Sequence, residues 1–321
     1  MKSIRTLSAI LLALATAHAS AQNYPNKSIR LIVPWAPGGN VDITGRIIGA
    51  ALTESLGQIV VVDNRAGGGG TIGASMVAKS APDGYTLLMG SSGSVTAGPA
   101  VYAHMPYDPV KDFAAVGMVQ IVPMIVVVNP KLPATNLKEL IALGKERSGK
   151  ITMASSGTGS SNHLAIELFN TMAGVKFVHV PYKGSGPALG ELIGGQVETM
   201  IDQLTSSIGF IRDGRLRAIA VTTNVRSSVM PNIPTLDEAG LKGFEANTFT
   251  GILAPAGTPP SVVNRLHADI VKALRTSTVK EKFQSLGADP QERSVKDFGD
   301  FIRADLDKWK KVGAAAGVRV E

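Results

Sequence analysis

Short apolar runs rich in β-branched residues recur along the chain, at Ile29–Val33, Ile59–Val62, Thr86–Met89, Ala115–Val119 and Met124–Val128, and again at Lys150–Ala154, Phe177–Pro181, Val197–Asp202, Leu216–Thr222 and Phe249–Leu253. Between many of them the apolar spacing changes to that of a helix. Ile47, Ile48, Ala51, Leu52 and Leu56 fall on one helical face, as do Leu164, Leu168, Phe169 and Met172. From Val295 to Val312, Phe298, Phe301, Ile302, Leu306 and Trp309 repeat at the same period. These stripes are read as core packing. The alternation predicts an α/β fold with mostly parallel sheets and helices on both faces.

The first residues break this rhythm. Lys2 and Arg5 precede the apolar run Leu7–Ala17, and Ala17-His18-Ala19 and Ala19-Ser20-Ala21 are both small-x-small. That order is that of a secretory signal peptide, residues 1–21, cut after Ala21. The run is too short for a bilayer core, which needs about 20 residues. The 300 residues that follow are enough for about two domains. Apolar content of 44% and charged content of 18% are ordinary for a globular protein. Cutting lowers the net charge from +7 to +5. Basic residues are scattered, without aromatic interleaving, so nucleic acid is not an expected partner. With no cysteine, a disulfide scaffold, a thiol nucleophile and a Cys-based zinc site are excluded.

Two loops stand out. Pro34 to Asp42 (PWAPGGNVD) follows the first apolar run and opens a helical stripe. Ser155 to His163 (SSGTGSSNH) does the same about 120 residues later. In open α/β sheets, ligands sit beyond the carboxyl ends of the strands, against helix N-termini. Unpaired N–H groups and the helix dipole attract anions there. Two such ends facing each other across a cleft would grip a carboxylate without an arginine.

Other motifs fail on context. Gly68 to Gly73 fits G-x-G-x-x-G, but Asp63-Asn64-Arg65-Ala66 separate it from the strand. Gly144 to Lys150 fits G-x-x-x-x-G-K, yet Ile151 replaces the required hydroxyl residue. No G-x-S-x-G elbow occurs. His104, His163, His179 and His267 have no metal-ligand spacing. No catalytic residue, metal site or cofactor is therefore expected.

Longer blocks carry a resemblance. YPNKSIRLIVPWAPGGNVD, LGQIVVVDNRAGGGGTIGASMVAKSAPDGYTLLMG, MPYDPVKDFAAVGMV, ASSGTGSSNHLAIELF, VHVPYKGSGPALGELIGGQVETMID and GILAPAGTPP run in order through the mature chain. Together they resemble the tripartite tricarboxylate transporter receptors, or Bug receptors. The resemblance implies a periplasmic solute-binding protein that delivers an organic acid to a membrane permease. It implies a flytrap of two α/β domains, each with a mostly parallel sheet. Domain I would take residues 22–122 plus 224–321, and domain II residues 123–223. Crossings near Ile121–Pro123 and Thr222–Val225 would form the hinge. A small mono- or dicarboxylate, aromatic or not, is the implied ligand, and the protein is read as a monomer. Two rivals share the architecture: a sensory binding protein reporting to a membrane kinase, and an exported enzyme.

The resemblance maps the first ligand loop onto Pro34–Asp42 and the second onto Ser155–His163. Variable readers of the ligand map onto Tyr182-Lys183-Gly184 and Asp202-Gln203. Trp35, Asn40 and Gln203 depart from residues common in the family. Gly38 and Gly39, beside Ala36, would allow close backbone approach. Asn40 either caps the helix or offers its amide to the ligand. Trp35 forms a wall or packs between helix and loop. Ser91 and Ser92 end another strand and are placed in the cleft. Ser156, Thr158, Ser160, Ser161 and Asn162 supply hydroxyls and an amide around Gly159. His163, in a first helical turn, suits a neutral hydrogen-bonding role. Lys183 offers charge to a distal carboxylate or stays solvated. Asp202 accepts from a ligand donor or holds a turn.

Overall fold

The computed structural model describes residues 24–321; the expected signal peptide lies outside them. Among the described residues ten strands form one sheet, eight of them along a single path. In chain order they are β1 (Ile29–Val33), β2 (Val60–Asn64), β3 (Thr86–Ser91), β4 (Phe113–Val128), β5 (Thr152–Ser155), β6 (Val178–Pro181), β7 (Thr199–Gln203), β8 (Arg217–Val221), β9 (Asn247–Pro255) and β10 (Asp289–Pro290). The order across the path is β2-β1-β3-β9-β4-β7-β5-β6, with β8 and β10 also on β4. β1, β2 and β3 are parallel in the first lobe, and β5, β6 and β7 in the second. β4 and β9 are antiparallel to their neighbours and stitch the lobes together.

The predicted runs Ala115–Val119 and Met124–Val128 are one strand, β4. Its first part pairs with β9 as far as Pro123, and its second pairs with β7 from Met124. A proline has no N–H for a ladder, so it sits where the pairing changes sides. The alternation of β4 is blurred because it is buried on both faces, with Val122 to Val128 almost fully covered apart from Pro123.

Among the described residues ten α-helices cover the sheets: α1 (Asn40–Leu56), α2 (Thr71–Ala78), α3 (Gly98–Val101), α4 (Leu137–Glu146), α5 (Ser161–Ala173), α6 (Ser185–Gly194), α7 (Leu204–Arg212), α8 (Pro260–Arg275), α9 (Ser277–Ser285) and α10 (Val295–Ala315). Among the described residues, no helix is long and apolar enough to cross a membrane. The predicted faces are inward: Ile48, Leu52 and Leu56 on α1, and Phe298, Ile302, Leu306 and Trp309 on α10. One apolar core runs under both lobes, from Ile48 to Met200. A second covers the other face of the second lobe and a third that of the first.

Residues 224–246 correct the expected boundary. Leu236, Leu241, Phe244 and Ala246 pack in the second lobe's core, with the Phe244 ring 6.4 Å from that of Phe169. The chain therefore stays with the second lobe after β8, because those side chains bury there, and returns at Ala246–Asn247. Thr222 holds this crossing: its hydroxyl accepts from Met124 N at 3.1 Å, and Ala246 N donates to its carbonyl at 3.0 Å.

Candidate functional site

Five strand–helix junctions converge where the lobes meet. β1 leads into α1, β5 into α5, β6 into α6 and β7 into α7, while β3 leads into a π-helical turn, Ser92–Ala97. Around a cavity of about 20 Å³ they place Gly39, Asn40 and Ser91 from the first lobe. Ser156, Ser161, Asn162, Ser185 and Gln203 come from the second. Trp35, Val41 and Thr248 complete the lining, so no ionisable side chain faces this space. The first N–H groups of each helix lack intrahelical acceptors. With four α-helices starting here, the space is positive by backbone alone.

One side chain sharpens this. Asn40 is 2% exposed, and its Nδ2 is buried without a partner. Thr44 Oγ1 donates to Asn40 O at 2.7 Å and accepts from Gln120 Nε2 at 2.6 Å, while Gln120 Oε1 is also buried without a partner. Gln120 Nε2 also donates to Asn40 Oδ1 at 2.9 Å. The Asn40 NH₂ is left over, on a residue that lines the cavity. A buried unpaired donor costs about 1–3 kcal/mol, and an acceptor in the cavity removes that cost.

A wider groove of about 600 Å³ opens from this pocket. Trp35 and Ser156 line both spaces; Ala36, Thr158 and Lys183 line the groove, with Tyr102 and Tyr182 opposite. Trp35 both packs and forms a wall: its ring lies so close to Gly70 and Gly93 that a Cβ on either would sit 2.8 Å from it. Its Nε1 donates to Ser91 Oγ at 3.3 Å. The lobes touch across the groove. Ala36 N donates to Lys183 O at 3.0 Å, and the Tyr102 hydroxyl lies 2.9 Å from Thr158 O and 3.1 Å from Gly68 O.

Six expected residues line neither space. Gly38 is a hinge of the loop: its φ is +87°, and its N–H donates to Asp42 Oδ2 at 3.0 Å. Asp42 is thus a helix-start residue. Burial would raise its carboxyl, but donors from Arg46, Gly38 N and Asn64 outweigh that and hold it below the usual range. Ser92 Oγ accepts from Phe249 N at 3.1 Å. Ser160 caps α5 by accepting from His163 N at 3.2 Å. Gly159 N donates to His163 Nδ1 at 3.2 Å. His163 stacks on His179, centroids 4.0 Å apart. Burial pushes both imidazoles down to about 4, so both are neutral at pH 7. Asp202 is fully buried; it accepts from Ser185 at 2.6 Å, Ser206 at 2.6 Å and Ser207 at 2.7 Å. Burial raises its carboxyl despite those donors. Covered by Ser185, it braces the starts of α6 and α7 rather than facing the cavity.

Ser185, Thr248, Tyr102 and Gly67–Gly69 were not expected at the site, whereas Gln203, named as a variable reader, does line the cavity. Ser185 had a usable signal, since Gly-Ser-Gly-Pro after a strand repeats the pattern of the two chosen loops. Gly68 and Gly69, set aside with the failed dinucleotide motif, line the groove beside Gly67, with φ of 56°, 61° and 130°. A serine–imidazole pair was also unforeseen: Ser155 Oγ lies 2.6 Å from His179 Nε2. Ser155 is fully buried and lines neither space, so the pair anchors the loop. Among the described residues no His, Cys, Asp or Glu cluster is arranged to hold a metal.

Comparison with known proteins gives the family and the fold. The family described as Tripartite tricarboxylate transporter family receptor matches residues 44–318. Protein BugT of Bordetella pertussis is 39% identical over 326 residues, covering 100% of both chains. The periplasmic binding protein BugD superposes with a TM-score of 0.90 at 34% identity, over 93% of this chain and 100% of its own. Rpa4515 of R. palustris, solved with adipate, gives a TM-score of 0.90 at 38% identity, over 92% of this chain and 99% of its own.

Proposed function

The chain belongs to the tripartite tricarboxylate transporter receptor family, a family of substrate-binding receptors and not of enzymes, and from that premise we propose that it captures a small organic carboxylate between its lobes and delivers it to a membrane permease. The observation that carries this is the unpartnered Asn40 Nδ2, on a cavity ringed by helix N-termini and lined by no acidic residue. The carboxylate sits in the inner cavity, whose size suits one or two oxygen atoms. It takes protons from Asn40 and from backbone N–H groups of both lobes. The rest of the ligand lies in the outer groove under Trp35, with Lys183 at the rim. That a relative was solved with adipate supports an acid ligand.

Capture works by population shift. Only the closed arrangement offers donors from both lobes to one carboxylate, so the acid stabilises closure by its differential affinity. Micromolar binding corresponds to about 8 kcal/mol. The lobes rotate about β4 near residues 121–123 and about Ala246–Asn247. Closure by a ligand gives the permease a surface to distinguish from the empty protein. The leader at residues 1–21 would export the chain to the periplasm, where it would act as a monomer. Thermal-shift screening of mono- and dicarboxylates against neutral sugars and amines tests the reading. Acids should raise the melting temperature; a response to sugars or amines alone would refute it.

A further inference from the structure

Among the described residues only Trp35 and Ser156 line both the inner cavity and the outer groove. If the inner cavity holds the carboxylate, the carbon beside it lies at the junction these residues form. What they present decides which substituent that carbon carries. Trp35 has already given its one donor to Ser91 Oγ. The Ser156 hydroxyl donates to Asn162 Oδ1 at 2.6 Å. Asn162 cannot be turned round, because its Nδ2 donates to the Ile201 carbonyl at 2.7 Å, and a carbonyl can only accept. Asn162 Oδ1 also takes a proton from Gln203 Nε2 at 3.2 Å. The Ser156 hydroxyl therefore offers the ligand only oxygen lone pairs.

We propose that the protein selects 2-hydroxy acids. This rests on the carboxylate reading and extends it. A 2-hydroxyl donates to Ser156 Oγ while the carboxylate takes the donors further in. A 2-oxo group would set its own lone pairs against those of Ser156. A 2-ammonium group can donate, but neither space is lined by Asp or Glu, and Lys183 adds a like charge. A site built to bond a substrate hydroxyl rejects the analogue that lacks it, because its own polar group is then left unpaired.

The test uses matched sets in calorimetry with the whole mature protein: propanoate, lactate, pyruvate and alanine; and 3-phenylpropanoate, 3-phenyllactate, 3-phenylpyruvate and phenylalanine. Within any set that binds, the 2-hydroxy acid should bind about tenfold tighter than the unsubstituted acid, and tighter still than the 2-oxo acid. Ser156→Ala should shrink the hydroxy-to-unsubstituted ratio to about one. Equal binding of hydroxy and oxo acids would overturn the proposal and leave the carboxylate reading standing, as would tighter binding of the amino acid. Were another acid of the wider screen to bind and neither set to do so, the same four substituents on that acid's skeleton would decide between the outcomes above; were no acid at all to bind, both would fall.

Discussion

The two candidate ligand loops look alike in sequence and differ in what they leave free. Pro34–Asp42 and Ser155–His163 each join a strand to a helix through glycine and polar residues. In the second loop most polar side chains bond to the protein itself: Ser155 is bound to His179, Ser156 to Asn162, Ser160 to His163 N and Asn162 to Ile201 O, while Ser161 lines the cavity and Thr158 the groove. In the first, Asn40 holds back a donor in the cavity. Polar composition therefore does not identify a binding atom; the proton inventory does. The first loop supplies the Asn40 amide, and the second a wall of mostly self-bonded side chains with the Ser161 hydroxyl on the cavity.

The largest expected effect breaks this contrast at Asn40. Asn40→Asp would set a carboxylate in a cavity without cations and should weaken acid binding more than 100-fold, about 3 kcal/mol or more. Asn40→Leu, which only removes the donor, should cost about tenfold. Calorimetry with an acid found by screening reads both, and unchanged affinity for Asn40→Asp would remove this loop from the site.

Closure comes next. A Cβ on Gly186 would stand 2.0 Å from Pro37 O, across the cleft. Gly186→Val should prevent the lobes from meeting and weaken binding at least tenfold. X-ray scattering at saturating acid should show the wild type contracting and the variant not. Contraction of both would mean that the loops do not meet in the bound state. Tyr102→Phe, which removes the bridge to Thr158 O and Gly68 O, should cost less: about 0.5–1.5 kcal/mol of binding, or a few-fold in Kd.

The smallest effect concerns pH. His163 and His179 have folded values near 4, below the unfolded 6.5. Their contribution is present above pH 6.5 and is lost as pH falls towards 4, because the unfolded chain takes up protons that the folded one refuses. The slope should approach 1.4 kcal/mol per pH unit for each histidine. Asp202, raised by burial, has the opposite sign and favours the folded state as pH falls. Melting curves from pH 7 to 4 should flatten in His179→Gln; the same pH dependence in variant and wild type would contradict the histidine account.

Much of this was legible in the sequence. The α/β alternation and the strand–loop–helix junctions follow from local spacing, and both loops were found that way. Three things were not legible, for physical reasons. β4 runs through both lobes as one strand because Pro123 falls at a change of partner, which no local pattern reveals. Residues 224–246 belong to the second lobe because Phe244 and Leu241 bury there, a contact distant in sequence. Asp202, Ser160 and His163 have the chemistry of ligand groups but spend it on the scaffold. Only their partners show it.

The central claim is that a carboxylate occupies the cavity between the two loops. Its most direct test is calorimetry of one acid found by screening against its own primary amide, which keeps the shape and removes the charge. The account predicts that the acid binds at least 100-fold tighter than the amide, and that Asn40→Asp erases the difference. Comparable binding of acid and amide to the wild type would contradict it.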